Sequence, residues 1–413
     1  MTTETQPDFQ TRIKRFEKAL SLESPERVLV GPSMDHFFST RLAGISNKNA
    51  MLDHPKRFAA LKETLLGFNF DIALQSGVYP AQWYAILGAQ HYKWPGGGLP
   101  DDVTFQFIEK EYLLADEYDQ FLANPNEFTM RVLWPRMTSG LKPLVDMPQL
   151  FSIGPDPIFL GSIFAHEENL ALLETLTNLG KAAQAATRAG ADYIAEVMKL
   201  GYPVSYVANF TPPFDLVADF LRGLRGTMLD MFRVPDKLLA AVDLYVEPQI
   251  EAAINWAEAV GNPRIFFWLH KGAANFMSDR HFEKFYWPSL RRVVLALIDR
   301  GLTPILHVQG DYTPRLHYLA ELPRGKVPIH YDRVDRQKAL KLMGDRQCFW
   351  GDISSALLVT GTPEQVKNDV KVLIDMFGPR GGLIVDGNLG IPDEARPENV
   401  RAMVETVRQY GMS

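Results

Sequence analysis

QCFWGDISSALLVTGTPEQVKNDVKVLIDMFGPRGGLIVDG, residues Gln347 to Gly387, reads as strand, helix, strand. The runs QCFWGDI from Gln347 and GLIVDG from Gly382 have the length and apolar content of short strands. Between them Val366, Val370, Leu373 and Phe377 recur at four, three and four residues, which places them on one face of a helix. Thr362 is the expected cap, Pro363 suits the first helical position, Gln365 completes a capping box, and Gly378 is the expected left-handed stop.

Upstream the strand pattern recurs in RVLVG from Arg27, FDIAL from Phe70, PVSYVAN from Pro203, RIFFWLH from Arg264, TPILHV from Thr303 and KVPIHY from Lys326, eight strands in all. Strands alternating with helices over such a length predict an α/β fold, a (β/α)8 TIM barrel, whose chemistry belongs at the C-terminal ends of the strands. The 413 residues, 46% of them apolar, allow either two domains or one barrel with insertions. No repeat, low-complexity run or linker marks a boundary, so one barrel domain over 1–413 is the expectation. More than a hundred residues separate the second and third strands, which predicts a mainly helical insertion at about 80–200. Its turn-rich stretch HYKWPGGGLPDD, His91 to Asp102, reads either as a lid over the barrel mouth or as an excursion packed on the barrel side. Gly96 to Gly98 is no phosphate loop, because neither Lys-Ser/Thr nor a dinucleotide-binding pattern surrounds it.

A net charge of -6 with 22% charged residues excludes nucleic acid as a partner. No apolar run nears the ~20 residues of a membrane span, and MTTETQPDFQ lacks the zones of a signal peptide, so the expected location is cytoplasmic, away from membranes. A single cysteine, Cys348, rules out an intramolecular disulfide and a zinc site of several thiolates from one chain.

Five successive strands end in polar groups: His270-Lys271, His307-Val308-Gln309-Gly310-Asp311, His330-Tyr331-Asp332, Gly351-Asp352 and Asp386-Gly387-Asn388. His270, His307, Asp311, Asp352 and Asn388 are expected in one cavity. His307, Asp311 and His270 are the candidate catalytic residues, with proton transfer by the histidines and orientation by Asp311 or Asp352. Gly310 would let the backbone turn Asp311 towards His307. Lys271, Gln309, His330, Asp352, Asp386, Asn388 and Asn209 are candidate substrate-binding residues. A divalent metal on His307 and Asp311 is compatible with these residue types, although no dense ligand motif is present. The first two strands end in Met34-Asp35-His36-Phe37 and Gln75-Ser76-Gly77-Val78-Tyr79. Met34, Phe37 and Tyr79 could wall an apolar or aromatic pocket with Asp35, His36 and Gln75 as polar handles, while Met34 and Phe37 equally suit plain core packing.

The Gly-Asp pair at Gly351, GTPEQV, GPRGG, GIP and RPENV, together with PFDLVADFLRGLRGTMLDMF from Pro213 and FMSDRHFEKFYWPSLRRV from Phe276, resemble the uroporphyrinogen decarboxylase and corrinoid methyltransferase superfamily. YKWPGGGLPDD and FQFIEKEYLLADEYD are similar to an uncharacterised, methyltransferase-like subgroup. The resemblance covers most of residues 200–413 and implies the TIM barrel. Decarboxylases of the superfamily carry an Arg-rich motif after the first strand, an aspartate after the second and a late histidine. Here Met34-Asp35-His36-Phe37 has no arginine, and Gly77 and Leu389 occupy the other two places. Its zinc thiol methyltransferases carry cysteines where this chain has Gln309 and Leu389, so the thiolate zinc site is absent.

The resemblance therefore implies methyl transfer from an aryl methyl ether or similar small donor to a corrinoid carried by a partner protein, with His307, Asp311 or a metal assisting the leaving oxygen. A homodimer is compatible with it. Two other readings stay open: a decarboxylase or lyase on a non-porphyrin acid, with His270, Lys271 and Arg222 holding a carboxylate, and a non-catalytic corrinoid-binding scaffold.

Overall fold

The computed structural model describes residues 8–74, 79–148, 156–206 and 208–412. Its strands are β1 (Leu29–Val30), β2 (Tyr92–Pro95), β3 (Gly98–Leu99), β4 (Gln106–Phe107), β5 (Ala208–Phe210), β6 (Arg264–Leu269), β7 (Thr303–Asp311), β8 (Ile329–Arg333), β9 (Phe349–Trp350) and β10 (Leu383–Val385). Seven of them form one parallel sheet in the order β1-β10-β9-β8-β7-β6-β5. The FDIAL run closes the ring between its two edges. Asp71 N donates to Val30 O at 2.9 Å on one side, and Ala73 N donates to Pro203 O at 2.9 Å on the other, beside a parallel bridge from Ala73 to Val204. Asp71 is held there by its buried carboxylate, which accepts from Val30 N at 3.0 Å and pairs with Arg27.

Period-two alternation sends Leu29, Ile72, Tyr206, Phe266, Ile305, Cys348 and Ile384 into one buried cluster on the barrel axis. A helix before β1, Phe9–Leu20, adds Phe16, Ala19 and Leu20 to that cluster. Its Arg12 donates to Phe70 O at 3.0 Å, and Arg264 at the start of β6 sits 5.2 Å from the Phe16 ring centroid. This helix therefore covers the N-terminal ends of the strands and stoppers that end of the barrel. The outer layer buries the opposite strand faces against helices, as where Val366, Val370, Leu373 and Phe377 meet Phe349 and Leu383.

The helix Pro363–Phe377 carries the expected capping box of Thr362 and Gln365. Its end differs from expectation: Gly378 stays right-handed at φ -55°, a short turn over Gly378–Arg380 follows, and the reversal falls at Gly381 with φ +69°. A Cβ on Gly381 would lie 2.9 Å from the backbone carbon of Glu23, so the close approach of that segment also requires glycine.

From Ala81 to Lys199 the described chain is mainly helical, ending in the 33-residue helix Glu167–Lys199. Within it β2, β3 and β4 form a separate small sheet in the order β3-β2-β4. Among the described residues no helix is long and apolar enough to cross a membrane.

Candidate functional site

At the C-terminal ends of β6 and β7, a cavity of about 490 Å³ is lined by His270, Lys271, Asn275, Phe276, Gln309 and Gly310 from the barrel, and by Asp219 and Phe220. The small sheet contributes Tyr92 and Phe107, and Phe107 meets Phe220 edge-on at 5.6 Å. From the stretch HYKWPGGGLPDD, Tyr92 thus reaches the cavity.

Two carboxylates on consecutive helical turns, Asp215 and Asp219, organise this cavity. Asp215 is buried and accepts from His270 N at 2.9 Å, Lys271 N at 3.0 Å and Tyr286 OH at 2.7 Å, which fixes the backbone leaving β6. Burial pushes its carboxyl up to about 6. Asp219 bonds His270 Nδ1 at 2.6 Å and Lys271 Nζ at 3.2 Å. Burial alone would lower the His270 pKa, but the hydrogen bond to Asp219 and the charges of Asp215 and Asp219 raise it above the ordinary imidazole value. With Nδ1 committed to a carboxylate, Nε2 is the nitrogen left to exchange a proton.

A second polar group lies on the barrel axis. His307 Nδ1 and His330 Nδ1 are 2.7 Å apart, and His330 Nε2 is 2.9 Å from both Asp386 Oδ2 and Ser33 Oγ. Asp386 also accepts from Ser33 N and Gly387 N, each at 2.7 Å. All four side chains are fully buried. His307 is stacked on Phe266 at 5.7 Å and edge-on to Trp268 at 5.2 Å. Burial, then the neighbouring His330, His270 and His36, hold its pKa well below the ordinary value, so it is neutral. Its Nε2 is buried and has no hydrogen-bond partner among the described residues.

The third cluster follows β1. His36 Nδ1 lies 2.6 Å from Tyr79 OH, Phe37 stacks on Tyr79 at 5.3 Å, and the Arg57 guanidinium lies 3.9 Å from the Tyr79 centroid. Burial and the Arg57 charge push His36 down to about 4, and burial pushes Tyr79 up to about 12. Asp35, its pKa raised by burial, accepts from Ser39 N at 3.2 Å. Met34 and Phe37 are packed in buried clusters, the core alternative of the two expected for them. Asn209 is exposed on β5, in register with Phe266. Gln75 lies outside the described residues, as does Gly77.

The five residues expected in one cavity do not share one. His270 lines the mouth and His307 lies on the axis, while three others are engaged elsewhere. Asp311 Oδ1 accepts from Thr313 N at 2.9 Å, because the irregularity after Val308 and the left-handed Gly310 carry it past His307 into the following turn. Asp352 pairs at 2.8 Å with Arg336, whose other arm holds Asp369. Asn388 accepts from Ser355 N at 2.9 Å and donates to Asp332 at 2.7 Å, tying two loops together. The expected metal pair of His307 and Asp311 is not formed, and among the described residues no three His, Cys, Asp or Glu side chains converge as a metal site. Arg222 is spent on Asp230 and Glu111, which removes it as a carboxylate anchor. Sequence reasoning missed Asp215, Asp219 and Ser33. The signal for the first two was a pair of acids four residues apart inside the apolar run PFDLVADFL.

A parallel barrel stoppered at one end, with a polar mouth at the other, defines the class of (β/α)8-barrel enzymes. Residues 151–410 match the Uroporphyrinogen decarboxylase (URO-D) family, and the chain belongs to it. Similar relatives include the uroporphyrinogen decarboxylase of Aromatoleum aromaticum, 25% identical over 238 residues, 53% of this chain and 63% of that protein. That of Chlorobium luteolum is 26% identical over 177 residues, 42% of this chain and 47% of the relative. The chain thus spans less than two thirds of the length of these curated relatives. Among solved structures, a methyltransferase from Methanosarcina mazei has the same fold, with a TM-score of 0.63 at 15% identity over 97% of this chain and 99% of that one.

Proposed function

We propose that this chain transfers a methyl group from a small, oxygen-bound donor such as an aryl methyl ether to a corrinoid carried by a partner protein. The observation that carries the reading is the mouth cavity: aromatic walls from Tyr92, Phe107, Phe220 and Phe276 around a histidine whose pKa Asp219 raises. A volume of about 490 Å³ suits a one-ring donor and not a corrin macrocycle, which supports the reading that the corrinoid is carried by a partner. The corrinoid supplies the nucleophile. This chain binds the donor ring between aromatic side chains, and His270 Nε2 gives its proton to the departing oxygen, with Asp219 stabilising the imidazolium beforehand. Asp215 holds the backbone of His270 and Lys271 in place.

The departures from the decarboxylase pattern support the same reading. The segment Met34-Asp35-His36-Phe37 after β1 has no arginine, and Leu389, at the place of the late histidine, is 39% exposed and carries no proton. A second reading, decarboxylation of a non-porphyrin acid, draws on Lys271 beside His270, which could bind a carboxylate.

The test is to mix the purified chain with a reduced corrinoid protein and methoxyarenes and follow the cobalt absorption. Methylation that depends on the chain and on His270 supports the reading. Carbon dioxide release from aromatic acids without methylation would replace it with the second, and no coproporphyrinogen is expected from uroporphyrinogen.

A further inference from the structure

The mouth cavity has two unlike walls. Tyr92, Phe107 and Phe220 make a continuous aromatic one, with ring centroids 5.1 Å apart between the first two and 5.6 Å apart between the last two. The ends of β6 and β7 make a polar one from His270, Lys271, Asn275 and Gln309. Most polar side chains on and behind this wall are already engaged. His270 and Lys271 both meet Asp219, Asp311 accepts from Thr313 N, and Asp332 accepts from Gly310 N and from Asn388 Nδ2, each at 2.7 Å. The amides of Gln309 and Asn275 have no hydrogen-bond partner among the described residues. Asn275 is exposed on a loop, whereas Gln309 is half-buried on the strand.

Register places Gln309 beside His270. Leu269 pairs with Val308, so the residues that follow them leave β6 and β7 next to each other, on strands about 4.8 Å apart. Gly310 fixes this exit: its φ is +83°, its N–H is held by Asp332, and a Cβ there would lie 2.9 Å from Ala273 Cβ. The backbone under Gln309 is therefore held, and the glycine leaves open the space beside the amide. A primary amide offers both N–H donors and a carbonyl acceptor, so it can bond a hydroxyl or an ether oxygen.

We infer that Gln309 is a specificity-determining residue: its amide bonds a second oxygen substituent next to the methoxy group of the donor, while the methoxy oxygen itself faces His270. This rests on the methyl-transfer reading for the donor class, and on register and cavity lining for the residue. The donor class narrows to arenes with two neighbouring oxygens, such as 2-methoxyphenol. In 4-methoxyphenol the second oxygen lies at the far end of the ring, out of reach of an amide beside His270. The expected discrimination is about tenfold in affinity, the yield of one hydrogen bond between neutral partners.

Calorimetric titration of the full chain with these two isomers, which have the same composition, measures the preference without a corrinoid. 2-Methoxyphenol should bind about tenfold more tightly than 4-methoxyphenol. Gln309→Met keeps the length of the side chain and should abolish the preference while leaving the affinity for the 4-isomer unchanged, which also reports that the variant is folded. Asn275→Ala should keep the preference. In turnover with a corrinoid protein, Gln309→Met should raise KM for 2-methoxyphenol about tenfold with little change in kcat, the mark of a binding contact. Equal binding of the two isomers by the unaltered chain, or a preference that survives Gln309→Met or is lost in Asn275→Ala, would overturn the assignment of Gln309. Binding of neither isomer would overturn the aryl-ether donor class, and the assignment with it. Methylation of a corrinoid is read separately: a chain that binds the 2-isomer through Gln309 but methylates nothing loses the methyl-transfer reading and keeps this one.

Discussion

His270 and His307 occupy neighbouring strands, and burial pulls the pKa of both downward, yet their pKa values are displaced in opposite directions. His270 touches Asp219 directly and has Asp215 beside it, and these charges outweigh desolvation. His307 has only another imidazole as its partner and aromatic rings on its faces, so desolvation prevails. The lesson is that direct contact with a carboxylate, rather than depth alone, sets the direction in which these two imidazoles are displaced.

The comparison is broken most severely by His270→Ala, which removes the member whose pKa is raised. Turnover of a methoxyarene with a corrinoid protein should fall by about 10²–10⁴-fold while the melting temperature changes little, the range for a positioned proton donor. Full activity in that variant would take His270 out of the chemistry. His307→Ala should instead cost stability, about 2–4 kcal/mol, by opening a hole between Phe266 and Trp268 and leaving His330 Nδ1 unpaired. Urea unfolding measures this, and an unchanged midpoint would show the axial pair to be energetically idle.

Asp219→Asn sharpens the contrast by removing the largest favourable influence on His270. The alkaline limb of the pH–rate profile should then move to lower pH, and a profile that stays in place would mean another group supplies the proton. In the unaltered chain the two histidines bend stability in opposite directions. His307 and His36 are neutral when folded but protonate when unfolded, so the unfolded chain binds more protons and stability falls as pH drops below 6.5, down to about 4 for His36. The raised pKa of His270 contributes stability that is complete below 6.5 and is lost as pH rises through the folded value. Melting temperatures should therefore decline on both sides of a maximum. A monotonic curve through this range in wild type, unaltered by Asp219→Asn, would contradict the assignments.

The smallest effect serves as a reference point. Thr362→Ala removes the capping box of an outer helix far from either histidine and should cost about 1 kcal/mol without altering turnover. A loss of activity there would mean that global stability, and not the site, controls the other measurements.

The regular part of the barrel was legible because local patterns decide it: the strands and helices from Arg264 onward lie where apolar runs and caps put them. The second strand was legible as an apolar run, but its pairing is sparse, because Asp71 spends its carboxylate on Val30 N and Arg27 instead of extending the ladder. The N-terminal helix was passed over although Ile13, Phe16 and Leu20 have helical spacing. The site was legible as a rim of polar strand ends but not as two centres. His307 meets His330 because β7 and β8 pair those residues in register, and His330 meets Asp386 across 56 residues of chain. Such partnerships are properties of register and closure. Asp311, adjacent in sequence, was drawn away by one irregularity after Val308.

The helix Phe9–Leu20 closes one end of the barrel, and among the described residues the polar cavity opens at the other, under the sheet that carries Tyr92 and Phe107. A small molecule and a larger protein that both approach that cavity share one doorway. Traffic through one doorway has an order: whatever goes deepest enters first and leaves last, so a bulky protein seated over the mouth keeps the small molecule beneath it from escaping until it departs.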